Sequence, residues 1–249
     1  KNSRGRITDY RSEQPKNGAD IILTIDIELQ KILQNQLSLA IETNNAKSAN
    51  GIILNPNNGE ILALANIPDF NLNNYENLPI DSANQYYTNN LISQAYEPGS
   101  IFKIICFAEA IENQEEIILN SYFCENGLYN GRYNQGFKDH KKHGELSFFD
   151  IFKFSSNIGT IKIFEDINKE FYYNRIKKFG FGNKTNLTLP DEHHGSIWEF
   201  SHYSKNPRDL ASSTLGQSIL ATNIQMAIAY ASIANGGYLL KPQIVKKII

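Results

Sequence analysis

An α+β (mixed α/β) fold is expected from this sequence, and three stretches carry that expectation. Gly51-Ile52-Ile53-Leu54 and Glu60-Ile61-Leu62-Ala63-Leu64-Ala65 read as strands flanking the turn sequence Asn55-Pro56-Asn57-Asn58-Gly59, so they form a β-hairpin. From Ile101 to Ala108 every residue but Lys103 is apolar, on all faces, which marks a buried helix. Residues 221–234 place Ile224, Ala227, Ile228 and Ala231 on one helical face, and Asn235-Gly236-Gly237 ends that helix.

The remaining elements follow in order. Residues 1–19 are polar, with Arg4, Arg6, Arg11, Pro15 and Gly18, and read as a linker or the end of an N-terminal region. Ile21 to Ile25 is a short β-type run, and Asp26 can cap a helix over 27–43 that carries Leu29, Ile32, Leu33, Leu37 and Ile41. Residues 67–95, rich in Asn, Pro, Asp and Tyr, read as a surface excursion. Short strands and loops are expected over 120–144. Ser147 with Asp150 starts a short helix over 148–154, and a further helical stretch carries Ile161, Ile163 and Phe164. Phe179-Gly180-Phe181-Gly182 is a turn, Leu187 to Pro190 is extended, and residues 238–249 begin a strand.

Composition excludes several functions. A chain of 249 residues, 41% hydrophobic, can bury one large core or two small ones. A net charge of −2, with lysines and arginines scattered, offers nothing to nucleic acid. Two cysteines make no disulfide framework, and Cys106 reads as a core residue. No apolar run reaches the ~18 residues of a membrane span. The first residue is Lys, so the chain reads as an internal fragment whose compartment no leader reveals. His140 and His143 stand at i, i+3, with His193, His194 and His202 later, but no cysteine pair or H-E-x-x-H accompanies them. No metal or cofactor is expected.

The chemistry concentrates at Glu97-Pro98-Gly99-Ser100-Ile101-Phe102-Lys103. Pro98 and Gly99 break the chain and a helix begins at or next to Ser100. Lys103 follows three residues on, on the same face. A capping serine favours Glu or Gln at that position, and a cation at a helix N-terminus is disfavoured. Burial and the helix dipole both push a lysine there toward its neutral form. A neutral amine can take the proton of a serine hydroxyl, so Ser100 reads as nucleophile and Lys103 as its base. Some fifty residues on, Ser155-Ser156-Asn157 forms an S-x-N triplet, a weak signal alone and a stronger one after S-x-x-K.

Several segments together resemble the transpeptidase domain of class B penicillin-binding proteins, the serine D,D-transpeptidases of peptidoglycan. They are Leu23-Thr24-Ile25-Asp26 with Leu29-Gln30, and Gly59-Glu60-Ile61-Leu62-Ala63 with Pro68. Next come Glu97 to Lys103, with Ile101 where Thr is usual, and Leu189-Pro190-Asp191-Glu192, with Asp191 where L-P-G-E has Gly. Last are Gly216-Gln217, Thr222, Gln225 and Ala234-Asn235-Gly236-Gly237. The resemblance covers residues 20–249. Ser155-Ser156-Asn157-Ile158-Gly159, with Asp139-His140 and Leu146 before it, is similar to the division-type (septal) enzymes.

The resemblance implies the serine β-lactamase/penicillin-binding fold, an antiparallel sheet with a helical subdomain. It also implies a catalytic set of Ser100, Lys103, Ser155 and Asn157. Ser100 would attack a stem peptide ending in D-Ala-D-Ala, Ser155 would relay the proton, and Asn157 would hold the peptide amide. β-Lactams would be trapped as acyl-enzymes. A membrane helix upstream, an extracytoplasmic location, and a membrane glycan polymerase in a division complex as partner are further implications. The family's K-[TS]-G motif and final strands are not in these 249 residues. Lys184-Thr185-Asn186 carries a side chain where that motif needs Gly and lies at another place in the pattern. The resemblance puts the motif after Ala234-Asn235-Gly236-Gly237, so the piece is expected to be incomplete, poorly stable and nearly inactive alone. Two rival readings remain. A serine β-lactamase or β-lactam sensor shares S-x-x-K, but a class A β-lactamase needs an E-x-x-L-N loop, which 158–200 lack. A catalytically dead or truncated scaffold homologue is the other.

Overall fold

Asp26 begins the first helix as a side-chain cap: its Oδ1 accepts from the backbone N–H of Glu28 and Leu29 at 2.9 and 3.1 Å. Helix α1 (Ile27–Asn44) follows, ended by Asn45 in the left-handed conformation. The computed structural model describes residues 16–71, 73, 88–133 and 135–249. Strands β2 (Ala49–Leu54) and β3 (Ile61–Ile67) pair antiparallel, with Gly51 opposite Ala65. In β3 the alternation is physical: Ile61, Ala63 and Ala65 are buried while Leu62 and Leu64 are half-covered. Gln30 staples α1 to this strand, donating to Leu64 O at 3.0 Å and accepting from Leu64 N at 2.9 Å.

The expected strand at 21–25 is shorter. Strand β1 (Ile21–Leu23) pairs antiparallel with β8 (Val245–Ile248), Ile21 opposite Ile248. This pair lies against the hairpin: Gln243 forms a parallel bridge to Glu60, and Thr24 Oγ1 donates to Ile61 O at 2.6 Å and to Gln243 O at 3.1 Å. Two small antiparallel pairs complete the β structure, β4 (Ser121–Phe123) with β7 (Glu145–Ser147), and β5 (Leu128–Tyr129) with β6 (Phe137–Lys138).

Eight further helices form the rest of the described fold. They are α2 (Asn90–Ser93), α3 (Lys103–Asn113), α4 (Phe148–Phe154), α5 (Asn157–Asp166), α6 (Lys169–Lys178), α7 (Phe200–Lys205), α8 (Pro207–Ser213) and α9 (Asn223–Ala234). Helix α3 lies in the larger of two apolar clusters, where Phe102, Ile105 and Phe107 meet Phe148, Ile161, Phe164, Ile176 and Phe181. The smaller cluster joins the hairpin to α9 through Ile61, Leu91, Ile92, Ile224 and Ile228.

Three expectations need correction. Residues 72 and 74–87 of the expected surface excursion lie outside the described residues, but its end is core: Leu91 and Ile92 are each 1% exposed. The apolar run is less uniformly buried than its composition suggests, since Ile101, in the turn before α3, and Ile111, within it, reach solvent, while Glu109 is buried against Arg175 of α6, whose Nε donates at 2.7 Å. The sequence reading also missed α6. Its apolar stripe is Tyr172, Tyr173 and Ile176 among lysines, and phenols counted as polar hide a periodic core face.

Candidate active site

The Ser100 turn is built from outside as well as from its own sequence. Gly99 N–H donates to Gly216 O at 3.0 Å, Ser218 N–H donates to the Glu97 carboxylate at 2.8 Å, and Tyr96 bridges to Ala221. Tyr230 of α9 donates its hydroxyl to Ile101 O at 2.7 Å. A 3₁₀ turn, Gly99–Phe102, leads into α3, so Ser100 sits one turn earlier than the α-helix proper and caps nothing. Among the described residues, its hydroxyl makes no hydrogen bond, and it is exposed. An uncommitted hydroxyl at a helix mouth is available to react.

Lys103 is 1% exposed. Its Nζ reaches the second motif, donating to Ser155 O at 2.6 Å, Ser155 Oγ at 3.0 Å and Asn157 Oδ1 at 2.8 Å. All three acceptors are neutral, so none repays the desolvation of a cation as a carboxylate would. Burial lowers the Lys103 pKa to about 8, against the opposing pull of the Asp139 charge. Once neutral, the amine keeps two donors and gains a lone pair, which the Ser155 hydroxyl can meet as donor.

Two helix termini meet to present those acceptors. Ser155 ends α4 in the left-handed region, at φ 55°, and so turns the chain sharply; a side chain at that φ costs about 1 kcal/mol or more. Ser156 then caps α5, its Oγ accepting from Gly159 N–H at 2.9 Å. Asn157 opens α5, and its Nδ2 donates to Lys138 O at 2.7 Å, which leaves Oδ1 for Lys103. Gly159 is required by packing: a Cβ there would meet the Ile151 side chain at 2.6 to 2.8 Å, so α5 could not close on α4. Of the four residues singled out in the sequence, the structure joins three directly. Lys103, Ser155 and Asn157 are hydrogen-bonded together, and Ser100 stands at the mouth of the helix that carries Lys103.

With this geometry, the profile of the Penicillin binding protein transpeptidase domain matches residues 50–249. The chain belongs to that family. Stage V sporulation protein D of Bacillus subtilis is 32% identical over 94% of this chain and 35% of its own length. A peptidoglycan D,D-transpeptidase FtsI homolog of Mesostigma viride is 33% identical, over 90% of this chain and 38% of its own. The chain therefore spans little more than a third of the curated relatives it matches. Among solved structures, penicillin binding protein 3 of Mycobacterium tuberculosis, whose aztreonam complex is also known, superposes with a TM-score of 0.80 at 28% identity. That match covers 96% of this chain and 53% of the neighbour.

The geometry also accounts for residues away from the motifs. Lys184-Thr185-Asn186 is a clamped turn: the Glu192 carboxylate accepts from Thr185 N–H at 2.6 Å, Thr185 Oγ1 at 2.5 Å and Asn186 N–H at 3.1 Å. Asp191, where the resembling motif has Gly, stands at φ 62°, a backbone state in which a short polar side chain is tolerated. Three of the five histidines have the local partners shown here: His193 stacks on His194, and His202 pairs with Asp209 at 2.9 Å. Sequence reading missed two residues in this region. Asp139 entered only as part of a resemblance, yet it holds the start of α5, and Gly216, read as a motif letter, is the backbone partner of Gly99.

Proposed function

We propose that the protein is a peptidoglycan D,D-transpeptidase that works through an acyl-enzyme on Ser100, in septal wall synthesis. The observation that carries the reading is the buried Lys103, of lowered pKa, bonded to both Ser155 and Asn157 one turn from an unengaged Ser100 hydroxyl. Neutral Lys103 takes the Ser100 proton, and Ser100 attacks the penultimate D-Ala carbonyl of a stem peptide. Terminal D-Ala leaves with a proton relayed by Ser155, and Asn157 holds the peptide amide. A side-chain amine of a second stem peptide then takes the acyl group. A β-lactam stops at the first half of this cycle.

In this reading residues 20–249 belong to the catalytic domain, and 1–19 link it to a region before it. The domain works outside the cytoplasmic membrane, held by an anchor upstream, beside a membrane glycan polymerase of a division complex. Among the described residues no helix is long and apolar enough to cross a membrane. The names of the curated relatives support the reaction and the substrate class. The S-S-N-x-G form of the second motif supports the septal role.

Fluorescent penicillin labelling of the full-length protein, with the adduct mapped by mass spectrometry, tests the central assignment. A single persistent adduct on Ser100, lost in Ser100→Ala, is expected. Modification elsewhere overturns the assignment, and rapid turnover of the β-lactam would favour a β-lactamase.

A further inference from the structure

The start of α5 holds more anionic recognition than capping requires. Ser156 already serves as N-cap. The Asp139 carboxylate, from the loop after β6, comes in addition: Oδ1 accepts from Asn157 N–H at 2.5 Å and Ile158 N–H at 3.0 Å, and Oδ2 accepts from Ser156 Oγ at 2.7 Å. Every backbone N–H from Ser155 to Gly159 is thereby assigned, and Asn157 sits between two opposite charges. Its backbone N–H points to Asp139 and its side-chain oxygen receives Lys103.

We propose that Asp139 is a positioning residue that couples the two motifs: it clamps the Ser155-Ser156-Asn157 turn, and through Asn157 it sets a negative charge opposite the Lys103 amine. The proposal rests on the transpeptidase reading above. The coupling has a definite sense. Burial alone drives the amine toward neutrality, and the Asp139 charge opposes it. A lysine left too acidic would be neutral but a poor proton acceptor, whereas one near 8 is still a competent base and is about one-tenth neutral at pH 7. Asp139 thus trades some of the neutral population for basicity, and it stabilises the ammonium that forms as Ser100 is deprotonated.

The other charged or titratable groups around the turn are differently engaged. Glu109, further along α3, is bound to Arg175. Lys162 of α5 is bound to Glu125. Cys124, which accepts from Ser156 Oγ at 3.4 Å, is held as a thiol by burial. Lys138 contributes its carbonyl, and its side chain is exposed. His140, Lys141, His143 and Lys153 line a cavity of about 290 Å³ together with Asp139, Ser155 and Ser156. Asp139 is the one carboxylate of this set whose charge registers at Lys103.

The test is the pH dependence of acylation, measured by stopped flow with a fluorescent penicillin on the full-length protein from pH 6 to 10. The rate should rise along a limb with its midpoint near 8, the Lys103 pKa. Asp139→Asn keeps size and an acceptor oxygen but loses the charge. Its limb should move down by about half a unit or more, and its plateau should fall about tenfold or more as the turn loosens. Asp139→Glu keeps the charge and should leave the limb in place while lowering the plateau. A structural cap alone would lower plateaus without moving the limb, so an unmoved limb in Asp139→Asn overturns the coupling. Should both variants fail to fold, Ser156→Ala decides: a lowered plateau on an unmoved limb supports the clamp, and a wild-type plateau overturns it. Loss of the wild-type adduct on Ser100 would instead sink the transpeptidase reading.

Discussion

Replacing Gly216 by Ala should dislodge the Ser100 turn without touching Ser100, Lys103, Ser155 or Asn157. The added Cβ would lie 2.1 Å from Gly99 O, 2.4 Å from Gly99 N and 2.7 Å from Gly99 C. These are backbone atoms, so no side chain can swing aside. Gly216 also stands at φ 70°, where Ala is strained by about 1 kcal/mol. Overpacking against an unyielding neighbour adds about 1–3 kcal/mol, for a total of roughly 2–4 kcal/mol. At about 2–4 °C per kcal/mol for a domain of this size, Tm should fall by roughly 4–16 °C. Gly236→Ala separates the two contributions, because Gly236 has φ 86° and nothing within 4 Å of an added Cβ. It should show the strain alone, about 1 kcal/mol. Differential scanning calorimetry gives the stabilities, and the rate of penicillin acylation reports the position of Ser100. Gly216→Ala should acylate at least about tenfold more slowly even where it is folded, since the Gly99–Gly216 hydrogen bond seats the turn. Equal losses in the two variants, or normal acylation in Gly216→Ala, would refute this account of how the turn is held.

Lys103→Met should abolish acylation by a factor of about 10²–10⁴ with Tm changed little, because removing a buried charge offsets the loss of three hydrogen bonds; a large Tm drop would argue for a structural lysine. The same lysine makes stability pH-dependent. Its folded pKa, about 8, lies below the ordinary 10.5, so between those values the unfolded chain binds more protons, and its contribution to stability rises with pH across that window. The wild type should therefore gain stability relative to Lys103→Met from pH 8 to 10, as read by urea unfolding. Arg175→Met should cost about 3–5 kcal/mol because it strands the Glu109 carboxylate, which is 2% exposed, and Glu109→Gln in the same chain should recover part of that loss. Glu192→Ala should cost about 2–4 kcal/mol in urea unfolding, since it leaves the donors of Thr185 and Asn186 without their acceptor.

Local signals were legible at two helix starts and at the hairpin, where a residue's partner lies within a few positions. Asp26 and Ser147 each cap the helix that follows, whereas Thr222 with Gln225, read only as part of a resemblance, closes a capping box. The hairpin at 49–67 announced itself by its turn residues and by the period of its strands. The S-x-x-K residues stood out because a cation is disfavoured at a buried helix start, and S-x-N gained weight only after them. Helix α6 stayed hidden because its buried face is two tyrosines and one isoleucine. The burial of Leu91 and Ile92 was hidden too, because a composition rich in Asn and Pro says nothing of the two apolar residues that reach the hairpin core.

By itself, the sequence determined that Ser100 follows a chain break, that Lys103 lies in an apolar helix, and that Ser155 and Asn157 flank a helix start. Those are consequences of spacing and of residue chemistry within single elements. Only the tertiary structure decided that Lys103 spends its hydrogen bonds on Ser155 and Asn157 rather than on Ser100. It also decided that Gly216 seats the turn and that Asp139 braces the second motif. Each of these joins residues 17 to 117 positions apart, and such pairings arise from the packing of α3, α4 and α5 around one core, which no local period encodes.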